Sequence, residues 1–269
     1  MGFLQEGDIS AEIVAEIEFG LLLVGLFVVA VLYSSVGHGG ASGYLAIMSL
    51  TSYGAMESAW LKQHAWFLNL LVASLAFYHY RKEGFHNSKL TIPFVIASMP
   101  MAFIGGYLLI DGSLYDILLS LTLVWAAGKL YTTIAIDEND EWNIPTYSQA
   151  VPWGAGIGFA SGIIGVGGGI FLSPIILLKK WATPKSVAAT SAVFIWANSM
   201  AGLAGASASN QLILDLEILA YFAVVVVLGG LLGSSYGAKV AQQTMVKKLL
   251  IIVLIIAAIK RILGLFSIA

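Results

Sequence analysis

Predominantly apolar runs of about 20 residues recur along the chain, over 60–80, 91–110, 114–134, 187–206, 216–237 and 246–266. Crossing a hydrocarbon core of ~30 Å takes about 20 apolar residues as helix, so each run predicts a transmembrane helix. None alternates as a lipid-facing barrel strand would. Two more apolar stretches are broken by glycine-rich tips, Val36-Gly37-His38-Gly39-Gly40-Ala41 and Ile164-Gly165-Val166-Gly167-Gly168-Gly169. Glycine clusters interrupt helices, so each half of the chain is expected to carry one broken segment.

The two halves match. A shift of 128 residues lays Gly37 on Gly165, Gly39 on Gly167, Gly40 on Gly168 and Ser58 on Ser186. With small changes of offset, Asn69 falls on Asn198, Gly105-Gly106 on Gly229-Gly230 and Lys129 on Lys260. Such ordered self-similarity reads as an internal duplication. The expected organisation is an acidic N-terminal segment (1–18), a first transmembrane repeat (19–135), an acidic linker (136–149) and a second repeat (150–269).

Composition agrees with a membrane protein: 59% of residues are hydrophobic, 10% are charged, and the mean hydropathy is +0.89. That leaves too few polar groups to coat a soluble domain. The net charge of −2 offers no footprint for nucleic acid. With no cysteine, disulfides, thiolate metal sites and thiol catalysis are all excluded. The N-terminus lacks a basic n-region and Glu6 spoils a myristoylation match, so the chain reads as mature, with 8–18 a short acidic amphipathic entry.

Nine of the thirteen basic residues sit in three short segments, at Arg81, Lys82 and Lys89, at Lys179, Lys180 and Lys185, and at Lys239, Lys247 and Lys248. Cytoplasmic loops retain Lys and Arg, which places these segments inside. The loops Ser52–Glu57, Asp111–Ser113 and Ser207–Asp215 hold neither and are expected outside, as are both termini. The acidic run 137–141 then falls inside, which the rule permits because it concerns Lys and Arg. Helix 60–80 thus runs inward and 187–206 outward, making the repeats inverted. Residues 19 and 52 must share one side, and 150 and 180 the other, so each glycine-tipped region enters and returns. As helix, 19–33 reaches roughly 22 Å and 43–53 roughly 16 Å, short of a full crossing. The expectation is an all-α, polytopic membrane protein: two inverted repeats, each with a Gly-tipped re-entrant broken helix and about three full transmembrane helices. The tips would meet near the midplane, where non-helical backbone must be buried or line a wet cavity.

Paired breaks of this kind point to a transporter's binding site. Helices restart at about Ala41 and Gly169, and their first N–H groups, with the positive end of the helix dipole, form an anion site. Gly37, Gly39, Gly40, Gly165, Gly167, Gly168 and Gly169 would let the backbone approach a ligand; the alternative is close helix packing. Hydroxyls at the tips, Ser35 and Ser42 with Tyr33, Ser34 and Tyr44, and Ser161 and Ser173, either donate to an oxyanion or bond back to their own helices. Lys62 is a candidate counter-charge, or it snorkels to the outer interface. Asn69 and Asn198, with Thr190 and Ser191, either line the site or bond helices together. His38, replaced by Val166 in the second tip, is the proton-coupling candidate or a structural donor. The expected substrate-binding set is Ser35, Gly37, His38, Gly39, Gly40, Ala41, Ser42, Lys62, Asn69, Gly165, Gly167, Gly168, Gly169, Ser191 and Asn198.

Elsewhere, Gly154-xxx-Gly158-xxx-Gly162 and Gly229-xxx-Gly233-xxx-Gly237 read as packing stripes. Lys129 and Lys260 read as snorkelling anchors, Trp60, Trp66, Trp142, Trp153 and Trp181 as interfacial belt residues, and His79 and His86 as solvated. No HExxH, Gly-Lys-Ser/Thr or deep carboxylate appears, so neither an enzyme, a metal site nor a cofactor is expected.

The stretches Gly37-His38-Gly39-Gly40-Ala41-Ser42-Gly43-Tyr44 and Gly165-Val166-Gly167-Gly168-Gly169-Ile170-Phe171-Leu172-Ser173-Pro174 resemble the TauE/SafE sulfite exporter family, also called the toluene sulfonate uptake permease family. Ala188-Ala189-Thr190-Ser191 leading to Asn198, and Gly229-Gly230 with Gly233 and Gly237, agree with it. The resemblance implies a secondary transporter of a small sulfur-containing anion (sulfite, sulfoacetate or another organosulfonate) in a bacterial inner membrane. His38 and Ser42 depart from the plainer glycine-rich tip. The expected mechanism encloses one anion between the tips and helices 60–80 and 187–206, with alternating access driven by a proton gradient. A passive anion channel using the same opposed half-helices is the competing reading. The expected partners are the anion, a coupling proton and the lipid bilayer; a homo-oligomer is compatible with the sequence.

Overall fold

A computed structural model describes residues 2–108, 110, 112–132 and 142–240, with isolated positions at 255 and 259. The run expected at 246–266, Lys260, the side chain of Lys129 and the acidic segment 137–141 lie outside the described residues. Among the described residues there are only helices: α1 (Gly2–Ser34), α2 (Ala41–Ser49), a 3-10 turn (Ser52–Ala55), α3 (Ser58–Lys82), α4 (Ser88–Tyr107), α5 (Gly112–Thr132), α6 (Tyr147–Ile164), α7 (Gly169–Leu178), α8 (Pro184–Ala208) and α9 (Leu216–Lys239). The other five apolar runs fall on α3, α4, α5, α8 and α9. Local chemistry sets the starts: Asn87 accepts from the Lys89 amide, Asp215 accepts from those of Glu217 and Ile218, Thr146 and Gln149 form a capping box, and Pro184 opens α8.

Glycine stripes bring helix backbones together. Along α9, Gly229, Gly233 and Gly237 lie against the backbone of Phe27 and Val31 of α1 and of Ser35 just beyond its end. Gly154, Gly158 and Gly162 of α6 lie in the same way on Phe94, Ser98 and Ala102 of α4. Residue numbers rise together along both contacts, so each pair is parallel. α3 and α9 are parallel too, joined by His64 to Asp215 at one end and His79 to Ser234 at the other. α4 and α8 share a direction, from Thr91 on Thr190 to Phe103 and Tyr107 on Gly205. α3 and α8 oppose one another: Gln63 bonds Gln211, Trp66 covers Gly202, and Asn69 bonds Ser199.

Four helices are long and apolar enough to cross a membrane among the described residues: Ile13–Ser34, Ser88–Tyr107, Pro184–Ala208 and Leu216–Lys239. α8 is central, with 72% of its window buried against 22% for α1. α3, at 25 residues, is long enough but too polar for that set, because it carries Lys62, Gln63, His64 and Asn69. All four side chains are fully buried, so protein covers what lipid would not tolerate.

Each broken segment doubles back on itself. The Glu18 carboxylate accepts from the Ser52 amide, and the Asn143 amide donates to the Lys180 carbonyl at 3.0 Å. Their proportions differ from the expectation. Instead of a separate amphipathic entry at 8–18 and a short arm at 19–33, α1 is one helix of 33 residues, about 50 Å long, that runs alongside α9. The return limbs alone are short, 9 residues in α2 and 10 in α7, or about 14 and 15 Å. The first tip also overshoots before it returns. The Ser35 carbonyl accepts from the Tyr80 hydroxyl, near the basic end of α3, and residues 36–40 then climb back toward the middle. The tryptophan belt is also corrected: Trp60, Trp66 and Trp181 are buried, Trp142 is half-buried, and only Trp153 is exposed. His79 is held by Leu75 and Ser234 rather than solvated, and His86 is half-buried.

Gly37 has φ +76°, and a Cβ there would come within 2.5 Å of the Ala188 Cα. Gly37→Ala should destabilise the protein by about 2 kcal/mol or more through overpacking and left-handed strain. Gly156→Ala, on the open face of α6 with nothing within 4 Å, should leave stability unchanged or slightly raised. Thermal unfolding of the two purified variants checks both.

Candidate functional site

After Ser34 the chain leaves the helix and is carried to α2 by two left-handed glycines, Gly37 (φ +76°) and Gly40 (φ +108°), the latter being the N-cap residue of α2. The second tip uses Gly165 (+91°), Gly167 (+74°) and Gly168 (+83°), with Gly168 at the N-cap of α7. α2 and α7 therefore begin at Ala41 and Gly169, the restarts expected from the sequence. The tips dock in exchanged fashion. Gly37 lies on Ala188, one turn into α8, while Gly165 lies on the Cβ of Lys62, one turn into α3.

Both tips converge on Asn69, midway along α3. Its Oδ1 accepts from the Ala41 amide at 3.0 Å, occupying the leading N–H of α2, and its Nδ2 donates to Ser199 Oγ at 3.1 Å. A Cβ on Gly39 would overlap Asn69 Oδ1, and one on Gly167 would overlap Asn69 Nδ2; either would also come within 2.9 Å of Ile195. One carboxamide thus sits between two backbones, which only glycine permits. The first tip is fastened further by the Tyr44 hydroxyl, which donates to the Gly39 carbonyl at 2.8 Å.

His38 crosses from the first tip to the second half. Its Nδ1 lies 2.9 Å from the Val36 carbonyl, an acceptor only, so Nδ1 carries a proton and Nε2 of the neutral ring accepts. Ser173 Oγ donates to Nε2 at 3.1 Å and itself pairs with Ser191 Oγ at 2.7 Å. The chain His38–Ser173–Ser191 therefore ties the first tip to α7 and α8.

Asn198 faces the second tip less tightly. Its Nδ2 lies 3.5 Å from the Gly167 carbonyl, and a Cβ on Gly168 would sit 3.3 Å from that nitrogen. Asn198 Oδ1, Ser161 Oγ and Trp66 Nε1 are buried and have no hydrogen-bond partner among the described residues. A buried polar atom without a partner forfeits about 1–3 kcal/mol.

Of the expected residues, the structure gathers His38, Gly39, Gly40, Ala41, Asn69, Gly167, Gly168, Gly169, Ser191 and Asn198 around this junction. Others point elsewhere. Ser35 Oγ bonds back to Leu32, and Ser42 Oγ pairs with Tyr33 to hold α2 against α1. Lys62 does not snorkel: it is fully buried, with its Nζ donating to the Leu108 carbonyl at the end of α4 and its stem under Gly165. Such a cation suits the negative end of a helix dipole. Ser199 and Ile195 complete the junction without having been expected, and Tyr44, one of the expected tip hydroxyls, bonds the Gly39 carbonyl. Ser199 is sequence-adjacent to Asn198, but nothing in an apolar helix distinguishes a serine that bonds across helices from one that bonds to its own.

Asn69→Ala would orphan the Ala41 amide and free Ser199, at a cost of about 1–3 kcal/mol. A clear fall in thermal stability is expected, whereas Ser74→Ala, at an exposed site bonded only to its own helix, should behave as the parent. Parallel unfolding of both variants in one detergent checks this.

Residues 21–261 match the family described as Sulfite exporter TauE/SafE. The chain is similar to the probable membrane transporter protein y4hK of Sinorhizobium fredii, 33% identical over 247 residues, covering 89% of this chain and 96% of that protein. It is also similar to the probable membrane transporter protein YunE of Bacillus subtilis, 28% identical over 218 residues, covering 73% and 77% respectively. No solved structure matches. With helices of spanning length, a buried polar junction between two broken segments and a family match along most of its length, the chain belongs to the TauE/SafE family and is a multi-pass membrane transporter.

Proposed function

We propose that the protein is a secondary transporter of the bacterial inner membrane that carries a small sulfur-containing oxyanion (sulfite, sulfoacetate or another organosulfonate) by proton-coupled alternating access between two inverted repeats, 19–135 and 150–269. The observation that carries this reading is the convergence of the α2 and α7 N-termini on Asn69, between the opposed helices α3 and α8. Two positive helix ends aimed at one buried point suit an anion. The inverted relation draws support from helix direction, since α1, α3 and α9 run one way and α4, α6 and α8 the other. The basic ends of α3 and α9, beside the start of α8, would be cytoplasmic and both termini extracytoplasmic. The substrate class follows from the family's description as sulfite exporters.

In this reading Asn69 Oδ1 stands on the Ala41 amide where an oxyanion oxygen would bind, so the carboxamide and the substrate exchange places. The amides of Gly167–Gly169, with Asn198 and Ser191, supply the opposite wall. His38 couples the proton. Protonation turns Nε2 from acceptor to donor, so the hydroxyl of Ser173 can no longer donate to it, and the bridge between the first tip and α7 must rearrange. Gly37 and Gly165 serve as docking points. Ser35, Ser42 and Lys62 hold the tips in place.

The test uses proteoliposomes. An inward proton gradient should drive sulfite or sulfoacetate accumulation by the parent protein, and His38→Ala should remove the pH dependence. Equilibration without accumulation would instead identify a channel. Topology is tested in the cysteine-free chain: a cysteine placed at Asn210 should react with an impermeant thiol reagent from outside, and one at Asn87 should not. The reverse pattern would overturn the orientation.

A further inference from the structure

α3 and α4 are joined by a short turn at 83–87, yet they pack little on each other: α3 lies mainly on α8, and α4 on α6 and α8. The space where they splay is a groove floored by Val193 of α8. Two adjoining cavities of about 400 and 410 Å³ share Phe77 and Val193, one extending to Thr91, Ile92 and Ile96 of α4, the other to Ala73 and Trp196. Their walls are almost wholly apolar. The polarity sits at one end, where His86 lines the groove with its Nδ1 buried and without a partner among the described residues, and its Nε2 is 3.3 Å from Ser88 Oγ. The Arg81 guanidinium stands 5.7 Å from the centroid of Phe77, which is itself a wall of the groove. Lys82 and Lys89 are exposed nearby, with Glu83 the lone acidic residue between 81 and 91. The start of α4, a helix of 20 residues, opens on the same mouth and adds its positive dipole end.

We propose that this groove binds an anionic phospholipid, with an acyl chain along Phe77, Val95 and Val193 and the phosphate held at the mouth by Arg81, His86 and Lys89. An apolar channel with cations at one end only matches an amphiphile that has one anionic head, and basic pockets between membrane helices are suited to such headgroups. A second copy of the chain fits less well. A two-fold axis along the membrane normal would bring the Arg81–Lys89 rims of both copies together at the same depth, like charge on like. His86 supplies a local reporter: burial and the neighbouring Arg81 hold its pKa below the ordinary 6.5, and a phosphate beside it would push that value back up. The site lies on the outer flank of α3 and α8, so its test is independent of the transport reading.

Lipid binding is read by native mass spectrometry of the full chain after exchange into vesicles of equal phosphatidylglycerol and phosphatidylcholine with identical acyl chains. The parent should retain phosphatidylglycerol at least about fivefold over phosphatidylcholine. Arg81→Gln with Lys89→Gln should lose that preference while still retaining lipid, and Val193→Trp, which fills the groove floor, should lose both. Variants count only if they elute as single species and unfold cooperatively. Competing glycerol phosphate, which has the head without the chain, should not displace the lipid. No headgroup preference in the parent, full preference in the double variant, or a Val193→Trp variant that changes oligomeric state while keeping its lipid would each overturn the proposal, the last in favour of a protein neighbour.

Discussion

Close approach of helix backbones is the constraint on which the other features depend. Within lipid there is little hydrophobic drive for one apolar helix to meet another, so association rests on van der Waals contact and interhelical hydrogen bonds. Gly229, Gly233 and Gly237 let α9 lie directly on α1, and Gly154, Gly158 and Gly162 let α6 lie directly on α4. The same device recurs at the tips, where Gly39 and Gly167 admit the Asn69 carboxamide between two stretches of main chain. Without these contacts, α3 and α8 could not be enclosed by the outer helices.

Enclosure is what makes the centre polar. α3 and α8 together bury Lys62, Gln63, His64, Asn69, Thr190, Ser191, Asn198 and Ser199, a set that lipid would expel. Most have defined partners, and those partners are informative about stability rather than about ligand binding. Asn69 caps α2, Gln63 pins the loop after α8 through Gln211 and Ile213, and His64 receives the Asp215 amide. Among the described residues, two of the buried polar atoms without a partner, Asn198 Oδ1 and Ser161 Oγ, belong to α8 and α6 beside the second tip. The two tips are thus unequal: the first is locked by Asn69, Tyr44 and His38, and the second keeps polar capacity in reserve.

Much of the architecture was legible in the chain because membrane helices follow from hydropathy and breaks follow from glycine. Five of the six apolar runs coincide with helices within a few residues, both restarts fall where expected, and both stripes of spaced glycines are packing surfaces. The bonds of Ser52 to Glu18 and Asn143 to Lys180 bring the two ends of each broken segment together. Length arguments failed for α1, because an acidic, weakly amphipathic sequence at 8–18 continues the helix instead of starting a separate one. The tryptophans were misassigned because their composition suits an interface and a core equally well; only packing distinguishes Trp66 over Gly202 from Trp153 in the open.

By itself, the sequence determined that this is a helical membrane protein with two glycine-broken segments, which family it belongs to, and which residue types stand at the breaks. Those properties are local, written in hydropathy, in missing side chains and in ordered motifs. The tertiary structure alone decided what each polar side chain faces. It made Asn69 a shared wedge, turned Lys62 from a candidate at the interface into a buried cap on α4, turned Ser35 back on Leu32 and Ser42 onto Tyr33 of α1, and brought His38 to Ser173, 135 residues away. The physical reason is that a polar group in an apolar helix must find a partner, while its spacing along the chain does not say whether that partner is its own helix, another helix or a ligand.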